Sequence, residues 1–392
     1  MPNLRTMVTE LGTALGMLGQ PDIDEALAAR SSVMRSLSPE NWDQLTTARK
    51  GGAYDAEFHA AWENGQAFLR ADDGLRGRIP QLVEWKGAIR APGDEVAPVD
   101  LRIDHVYLVS CKYLSNILLN VSPAHIFDDL LVGGQSRRGR GQGGDWFAEV
   151  APQQYQQLYD IIRPYLEELG QAGATDTQSG SGTGHGTALR RGALPLPGFG
   201  VSEQDDVAAS VRVSPAPLTS LSGLPERAVD LSAEQRVSLA SSLKAGWPES
   251  AKAAYGELSR AVALASVARW QHTLAQGANA GEAMLWRLLR MGSAPYYVLG
   301  SSATRSLRLR IATPWDWRQI FILEKFEVFA QAGGQARVGW LAHVRERSSS
   351  QLHEVSGHVE IRWSHGRFKG PPEAKGYLDT GHHLVPGYFP LV

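Results

Sequence analysis

The sequence predicts an α+β fold: helices at the N-terminus, a short strand meander, a helical middle and a strand-rich C-terminal part. Three observations carry this. Phe58, Ala61, Trp62, Gly65, Phe68 and Leu69 recur at helical spacing on one face of residues 54–70. Residues 81–90, 97–104 and 106–114 are strand-like segments parted by turn residues. Beyond residue 292, the segments SAPYYVLGS, SLRLRIAT, IFILEKFEVFA, ARVGWLAHVRE and EVSGHVEIRWS alternate with turn signals and predict strands.

The elements follow in order. The N-terminal stretch MPNLRTMVTELGTALGMLG has a single Arg, includes Glu10 and lacks a continuous apolar run, so it predicts an amphipathic helix rather than a signal peptide. Further helices reach about residue 50, and the helix of 54–70 follows. The pair Asp104-His105 then joins two strands as a hairpin. A mostly helical piece runs to about residue 132. Residues 153–170 form an amphipathic helix with a Pro interruption, and 232–291 are strongly helical.

Residues 170–186, GQAGATDTQSGSGTGHG, are rich in Gly, Ser and Thr and nearly free of large apolar groups. Such a stretch suits a flexible linker. It divides the chain into 1–170, a linker over 171–195, and 196–392. The alternative is one sheet completed by the helix-then-strand pattern of 281–300, with 131–260 largely an insertion.

Composition narrows the function. The 392 residues are 43% hydrophobic and 20% charged, as in ordinary globular chains. Lys plus Arg is 39 against 41 Asp plus Glu. That balance excludes a globally basic nucleic-acid coat but leaves room for a local basic groove. The single cysteine, Cys111, forms no internal disulfide and excludes a zinc site of several thiolates. Apolar runs fall far short of a membrane helix. A soluble, cytoplasmic protein is the expectation.

The chemistry sits in PVDLRIDHVYLVSCK, residues 98–112. Alternate strand residues share a face, so Asp100, Arg102 and Asp104 lie together, as do Ser110 and Lys112. A carboxylate on one strand beside a lysine on its hairpin partner suits metal-dependent phosphodiester hydrolysis. The carboxylate holds a divalent ion that acidifies a water. The lysine orients the nucleophile or stabilises the developing charge. Register decides whether they meet. A strict two-residue turn pairs 103 with 106 and sets Asp100 opposite Val109, on the face of Cys111. A three-residue loop sets Asp100 opposite Ser110, on the lysine's face. A nuclease site requires the second arrangement.

This segment resembles the PD-(D/E)xK restriction-endonuclease-like superfamily. Pro98-Val99-Asp100 stands where that family has Pro-Asp, with one extra residue, and Ser110-Cys111-Lys112 where it has (Asp/Glu)-x-Lys. Some restriction enzymes are similar in having Ser-x-Lys, their second acid coming from the following helix, for which Asp128 and Asp129 are the candidates. Several members place a Glu on the first helix, for which Glu57 is the candidate. The family core is a helix, a three-stranded meander, a helix and a further strand, so the resemblance implies a mixed sheet flanked by helices. It covers about residues 54–130. It implies catalysis by Asp100, Ser110, Lys112 and Glu57, with Mg²⁺ or Mn²⁺ held by Asp100, Glu57 and Asp128. A competing match, Asp73 with Glu84-Trp85-Lys86, keeps both acids but needs a strand through Pro80; Glu84 also has the option of joining the first site from its neighbouring strand.

Other signals are weaker. The Gly/Arg stretch 133–144 offers Arg137, Arg138 and Arg140 for phosphate contact, or is simply a surface loop. Near the C-terminus Trp315, Trp317 and Arg318, then Arg362, Trp363, Arg367, Phe368 and Lys369, interleave cations with rings, as base stacking uses; core aromatics and a solvated strand face give the same pattern. His358 and His365, seven apart, point to opposite strand faces and favour no metal. No Gly-x-Ser-x-Gly elbow or P-loop is present.

The expectation is a metal-dependent DNA endonuclease of restriction or phage-defence type. Many restriction enzymes are dimers, so the resemblance leaves a homodimer open. The alternative is a non-catalytic nucleic-acid-binding or interaction module whose nuclease-like core lacks the second acid.

Overall fold

A computed structural model describes residues 3–87, 99–113, 117–131, 145–178, 223–244, 246–301 and 306–392. The fold is mixed α+β, with strands concentrated in the C-terminal part. Two compact units divide the chain: 1–143 with 259–362 and 373–392, and 144–258 with 363–372. Both are discontinuous in sequence.

The first unit opens with α1 (Leu4–Gly16), α2 (Ile23–Ala29), β1 (Met34–Arg35), α3 (Pro39–Gly51) and α4 (Asp55–Arg70). The Asn3 side chain caps α1 by accepting from the Arg5 N–H at 3.0 Å. Asp55 and Glu57 place negative charge at the start of α4, where the helix dipole favours it. The two helices touch at glycines. A Cβ on Gly65 would lie 2.1 Å from Thr13 O, and one on Gly16 2.4 Å from Trp62 O. Only residues without a side chain permit that approach.

The meander follows as β2 (Val83–Trp85), β3 (Leu101–Ile103) and β4 (Tyr107–Tyr113). Then come β5 (Ile117–Val121) and α5 (Pro123–Phe127). β5 corrects the expected helix; its run ILLNV suits a pleated, half-buried surface. Much later come α10 (Ala280–Leu288), β6 (Tyr296–Ser301), β7 (Ser306–Ile311), α11 (Pro314–Ile320), β8 (Phe321–Gln331), β9 (Ala336–Glu346), β10 (Leu352–Arg362), β11 (Glu373–Leu378) and β12 (Tyr388–Pro390).

These strands make two sheets. The first has order β1-β2-β3-β4-β6-β7-β12, and the second, wholly antiparallel, β5-β11-β10-β9-β8. β4 and β6 lie parallel, Ser110 opposite Val298 and Lys112 opposite Gly300. Parallel neighbours need a crossover connection, and here nearly two hundred residues, including the second unit, intervene. Of the 281–300 pattern, β6 therefore joins the first sheet, while α10 lies against β8 of the second. At Gly300 a Cβ would meet Lys112 O at 2.1 Å, so glycine lets β6 close on β4 there.

One face of the first sheet is apolar. Val83, Trp85, Leu101, Ile103, Val109, Cys111, Tyr297 and Leu299 pack with Val8, Leu11, Leu15, Phe58 and Phe68 of α1 and α4 in one core.

The second unit holds α6 (Trp146–Val150), α7 (Pro152–Gln178), α8 (Ala233–Ser242) and the start of α9 (Glu249–Leu274), which continues into residues of the first unit. α7 carries Pro164 and extends through the first residues of the expected linker; 179–222 lie outside the described residues. Phe147, Tyr155, Trp247, Trp363 and Phe368 pack as an aromatic cluster, with Phe147 and Trp363 centroids 4.6 Å apart edge to face.

Candidate active site

The hairpin register is the first determinant. Ile103 pairs with Tyr107, Arg102 with Leu108 and Leu101 with Val109. The connection is therefore three residues, Asp104-His105-Val106, rather than the two-residue pair. Asp104 and His105 both adopt left-handed backbone, with φ 49° and 59°. The Asp104 carboxylate holds the turn: Oδ1 accepts the N–H groups of Gln81 and Leu82 at 2.8 and 2.9 Å, and Oδ2 pairs with Arg78 at 2.7 Å. The paired register ends there: the Asp100 N–H donates to Val109 O at 2.9 Å, the residue already opposite Leu101, so the ladder slips at Asp100.

The Asp100 carboxylate then takes a backbone position. Oδ2 accepts from Cys111 N–H at 2.6 Å and from Ser110 Oγ at 3.1 Å. β3 begins at Leu101, so continued ladder pairing would give the Cys111 N–H to residue 99. The carboxylate takes that bond instead. It lies at the point where β3 parts from β4.

On β2, Glu84 pairs with Arg102, and Lys86 N–H donates to Asp100 O at 2.9 Å. Lys86 is thus the neighbour of Asp100 on the β2 side. The Glu84 carboxylate lies 3.8 Å from Lys86 and 3.6 Å from His105. The competing motif so contributes Glu84 and Lys86 to the neighbourhood of Asp100. Its third member, Asp73, follows α4 and faces Arg310 at 3.5 Å.

The acid that the sequence did not single out is Glu10. It lies on α1 among Met7, Leu11, Thr13 and Ala14, all buried, and is itself 6% exposed. Trp85 Nε1 donates to its Oε2 at 2.6 Å. Burial first, and the charge of Asp100 second, push the Glu10 carboxyl up to about 8; the Trp85 hydrogen bond and Lys112 pull the other way. The charges of Asp100 and Lys112 thus both act on Glu10. The signal in the sequence was an acid at the centre of an apolar helix face, three residues after Met7 and four before Ala14.

Cys111 packs on the core side. Burial raises its thiol well above the ordinary value, and the charges of Asp100 and Glu10 add to this. It stays protonated and is no nucleophile.

Glu57 is engaged elsewhere. It is buried on α4, pairs with Arg5 at 3.1 Å and acts on the Tyr113 hydroxyl, which burial and its charge push up. Asp128 ends α5, follows a strand of the second sheet and pairs with Arg269 at 3.1 Å.

The cation-and-ring pattern near the C-terminus is mostly structural. Trp317 and Phe368 are fully buried, while Trp315 is exposed. Arg318 pairs with Glu282 at 2.7 Å and stacks on Trp286. Arg362 lies 3.6 Å from Glu360. Arg367 donates to Leu243 O and lies 4.7 Å over the Trp247 ring. Arg137, Arg138 and Arg140 lie outside the described residues.

Among the described residues no three His, Cys, Asp or Glu side chains converge as a metal cage. The acids nearest the motif are Asp100, bonded to Ser110 and the Cys111 N–H, and Glu10, which accepts from Trp85 and is held protonated by burial. Carboxylates of this kind are the donors Mg²⁺ takes, one or two at a time, with water and substrate phosphate in its remaining positions. In comparisons with known proteins, no family model, no curated protein and no solved structure matches the chain. Among the described residues no helix is long and apolar enough to cross a membrane.

Proposed function

We propose that the protein is a metal-dependent endodeoxyribonuclease of restriction or phage-defence type, acting in the cytoplasm. The observation that carries this is the hydrogen bonding of the Asp100 carboxylate to Ser110 Oγ and the Cys111 N–H, which holds it beside the strand segment that ends in Lys112. Further support comes from the order of elements: α4 and the meander β2-β3-β4 follow the helix and meander of the PD-(D/E)xK core, and β6 lies parallel to β4 as its further strand.

Asp100 and Glu10 would hold Mg²⁺ or Mn²⁺. The ion supplies neutralisation of the phosphate and acidification of a bound water. Asp100 is oriented by Ser110 and by the Cys111 N–H, so Ser110 acts as a positioning residue in the place of the family's second acid. Lys112 points its ammonium at the developing negative charge. Glu10, in place of Glu57, is the helix acid; without a cation it keeps its proton to about pH 8. Glu84 and Lys86 flank this group.

Plasmid and phage DNAs, native and modified, incubated with Mg²⁺ or Mn²⁺ test this. Cutting that needs the cation and stops in Asp100→Ala and Lys112→Ala is the expected result. Cutting that survives both changes sinks the assignment.

A further inference from the structure

A cavity of about 520 Å³ opens in the first unit, where α4 ends and where β4 and β6 begin. Ordinary small-molecule sites run about 300–1,000 Å³. Glu10, Asp100, Ser110 and Lys112 do not line it.

Its walls are fixed by the chain itself. The turn after α4 is tied to that helix: Leu75 N–H donates to Phe68 O at 3.0 Å, and Gly77 N–H to Leu69 O at 2.6 Å. A Cβ on Gly74 would lie 2.3 Å from Phe68 O, so glycine lets the turn fold this closely. Two rings line the cavity beside it, Tyr107 and Tyr297. They pack edge to face on Phe68, with centroids 5.8 and 4.9 Å away. Tyr297 OH donates to Asp73 O at 2.6 Å.

The charges of the lining balance: Arg76, Arg78 and Arg310 against Asp72, Asp73 and Asp316. Arg78 is taken up by Asp104 at 2.7 Å. Asp316 is taken up by the cap of α11, where it accepts the Thr313 N–H at 3.4 Å. Arg310 is less committed. It lies 3.5 Å from Asp73 and 4.0 Å from Asp316, with its guanidinium held 4.8 Å from the Phe389 ring centroid. Neither this guanidinium nor the Asp73 carboxylate makes a hydrogen bond among the described residues, and Arg310 Nε is buried. A donor and an acceptor thus stand side by side with unused capacity, which is costly at a buried atom.

Balanced charge disfavours a simple anion or cation. The complement is a planar, net-neutral edge with an acceptor beside a donor, next to aromatic rings. A nucleobase has that form. Arginine donates to its ring nitrogen or carbonyl oxygen, a carboxylate accepts from its N–H, and aromatic side chains give its plane a surface.

We propose that this cavity binds a nucleobase, with Arg310 and Asp73 pairing to its edge and Tyr107 and Tyr297 packing against it. The inference is independent of the nuclease assignment, with which it shares no residue.

Calorimetric titration of the full chain with guanosine, adenosine, cytidine and uridine, without divalent cations, tests it. The variants are Asp73→Ala and Arg310→Ala. Tyr297 bonds the backbone oxygen of Asp73, so that contact survives the first change. Saturable binding of at least one nucleoside by the parent protein, weakened at least about tenfold in each folded variant, is the expected result. If Arg310→Ala does not fold, Asp73→Ala decides alone. No binding of any nucleoside by the parent protein, or undiminished binding in the folded variants, overturns the proposal. Saturable binding of glycine or glutamate in place of the nucleosides also overturns it and makes the cavity an amino-acid site. A short single-stranded oligodeoxynucleotide distinguishes the two sources of a base: displacement of the bound nucleoside assigns it to nucleic acid, and no displacement to a free ligand.

Discussion

Glu10 is the residue on which the chemistry and the stability of the fold conflict. Its carboxyl is buried beside Asp100 and is pushed up to about 8 from an ordinary 4.5. The folded protein therefore keeps a proton that the unfolded chain has already lost between these values. Stability falls as pH rises through this window, by a few kcal/mol in total, and is lowest above it. Glu10→Gln keeps the hydrogen bond from Trp85 without the charge. Urea midpoints between about pH 5 and pH 9 should decline in the parent protein and stay nearly level in this variant. An equal decline in both would mean that Glu10 is not the titrating group. Glu10 was partly legible in the sequence: an acid centred on an apolar helix face is a departure from pattern, and such departures mark functional positions. Lys112 and Asp100 were legible as a motif.

At the scale of elements, the hairpin matters most. A difference of one residue in the connection would shift every β3 partner along β4 by one. The sequence left both arrangements open. The deciding feature is Asp104, whose carboxylate binds two N–H groups before β2 and pairs with Arg78. Those partners are distant in sequence, so local turn chemistry could not settle the matter. Asp104→Ala should cost about 1–3 kcal/mol, since it leaves two backbone donors unsatisfied. Thermal melting measures this, and an unchanged Tm would show that the turn is held by other contacts. Other elements were visible early. α4, β2, β3, β4 and the long C-terminal strands lie where apolar periodicity put them, because each buries one regular face. β5 was missed: a five-residue apolar run looks alike in a helix and in a strand until its partner β11 is known.

At the scale of the molecule, the chain leaves the first unit, builds a second and returns twice, at residues 144–258 and 363–372. Composition could point to a break near residue 180 but not to this threading, since nothing local records which distant strand will lie beside β4. The second unit depends on its aromatic cluster. Phe368 is fully buried there with φ 61°, an uncommon backbone for a bulky residue. Phe368→Ala should destabilise by about 3–5 kcal/mol, read as a lowered melting transition. A transition within error of the parent would show that the cluster contributes little.

The proposed site is made of Glu10, Asp100 and Lys112, and its members should fail together. Single-turnover cleavage of a susceptible DNA with Mg²⁺ measures this in Glu10→Gln, Asp100→Asn, Lys112→Ala and the Glu10→Gln/Asp100→Asn double variant. Each single change should slow cleavage at least about 100-fold with the fold intact, and the double variant should be no slower than its worse parent. Cleavage at the full rate in Asp100→Asn or Lys112→Ala would contradict the assignment of this site.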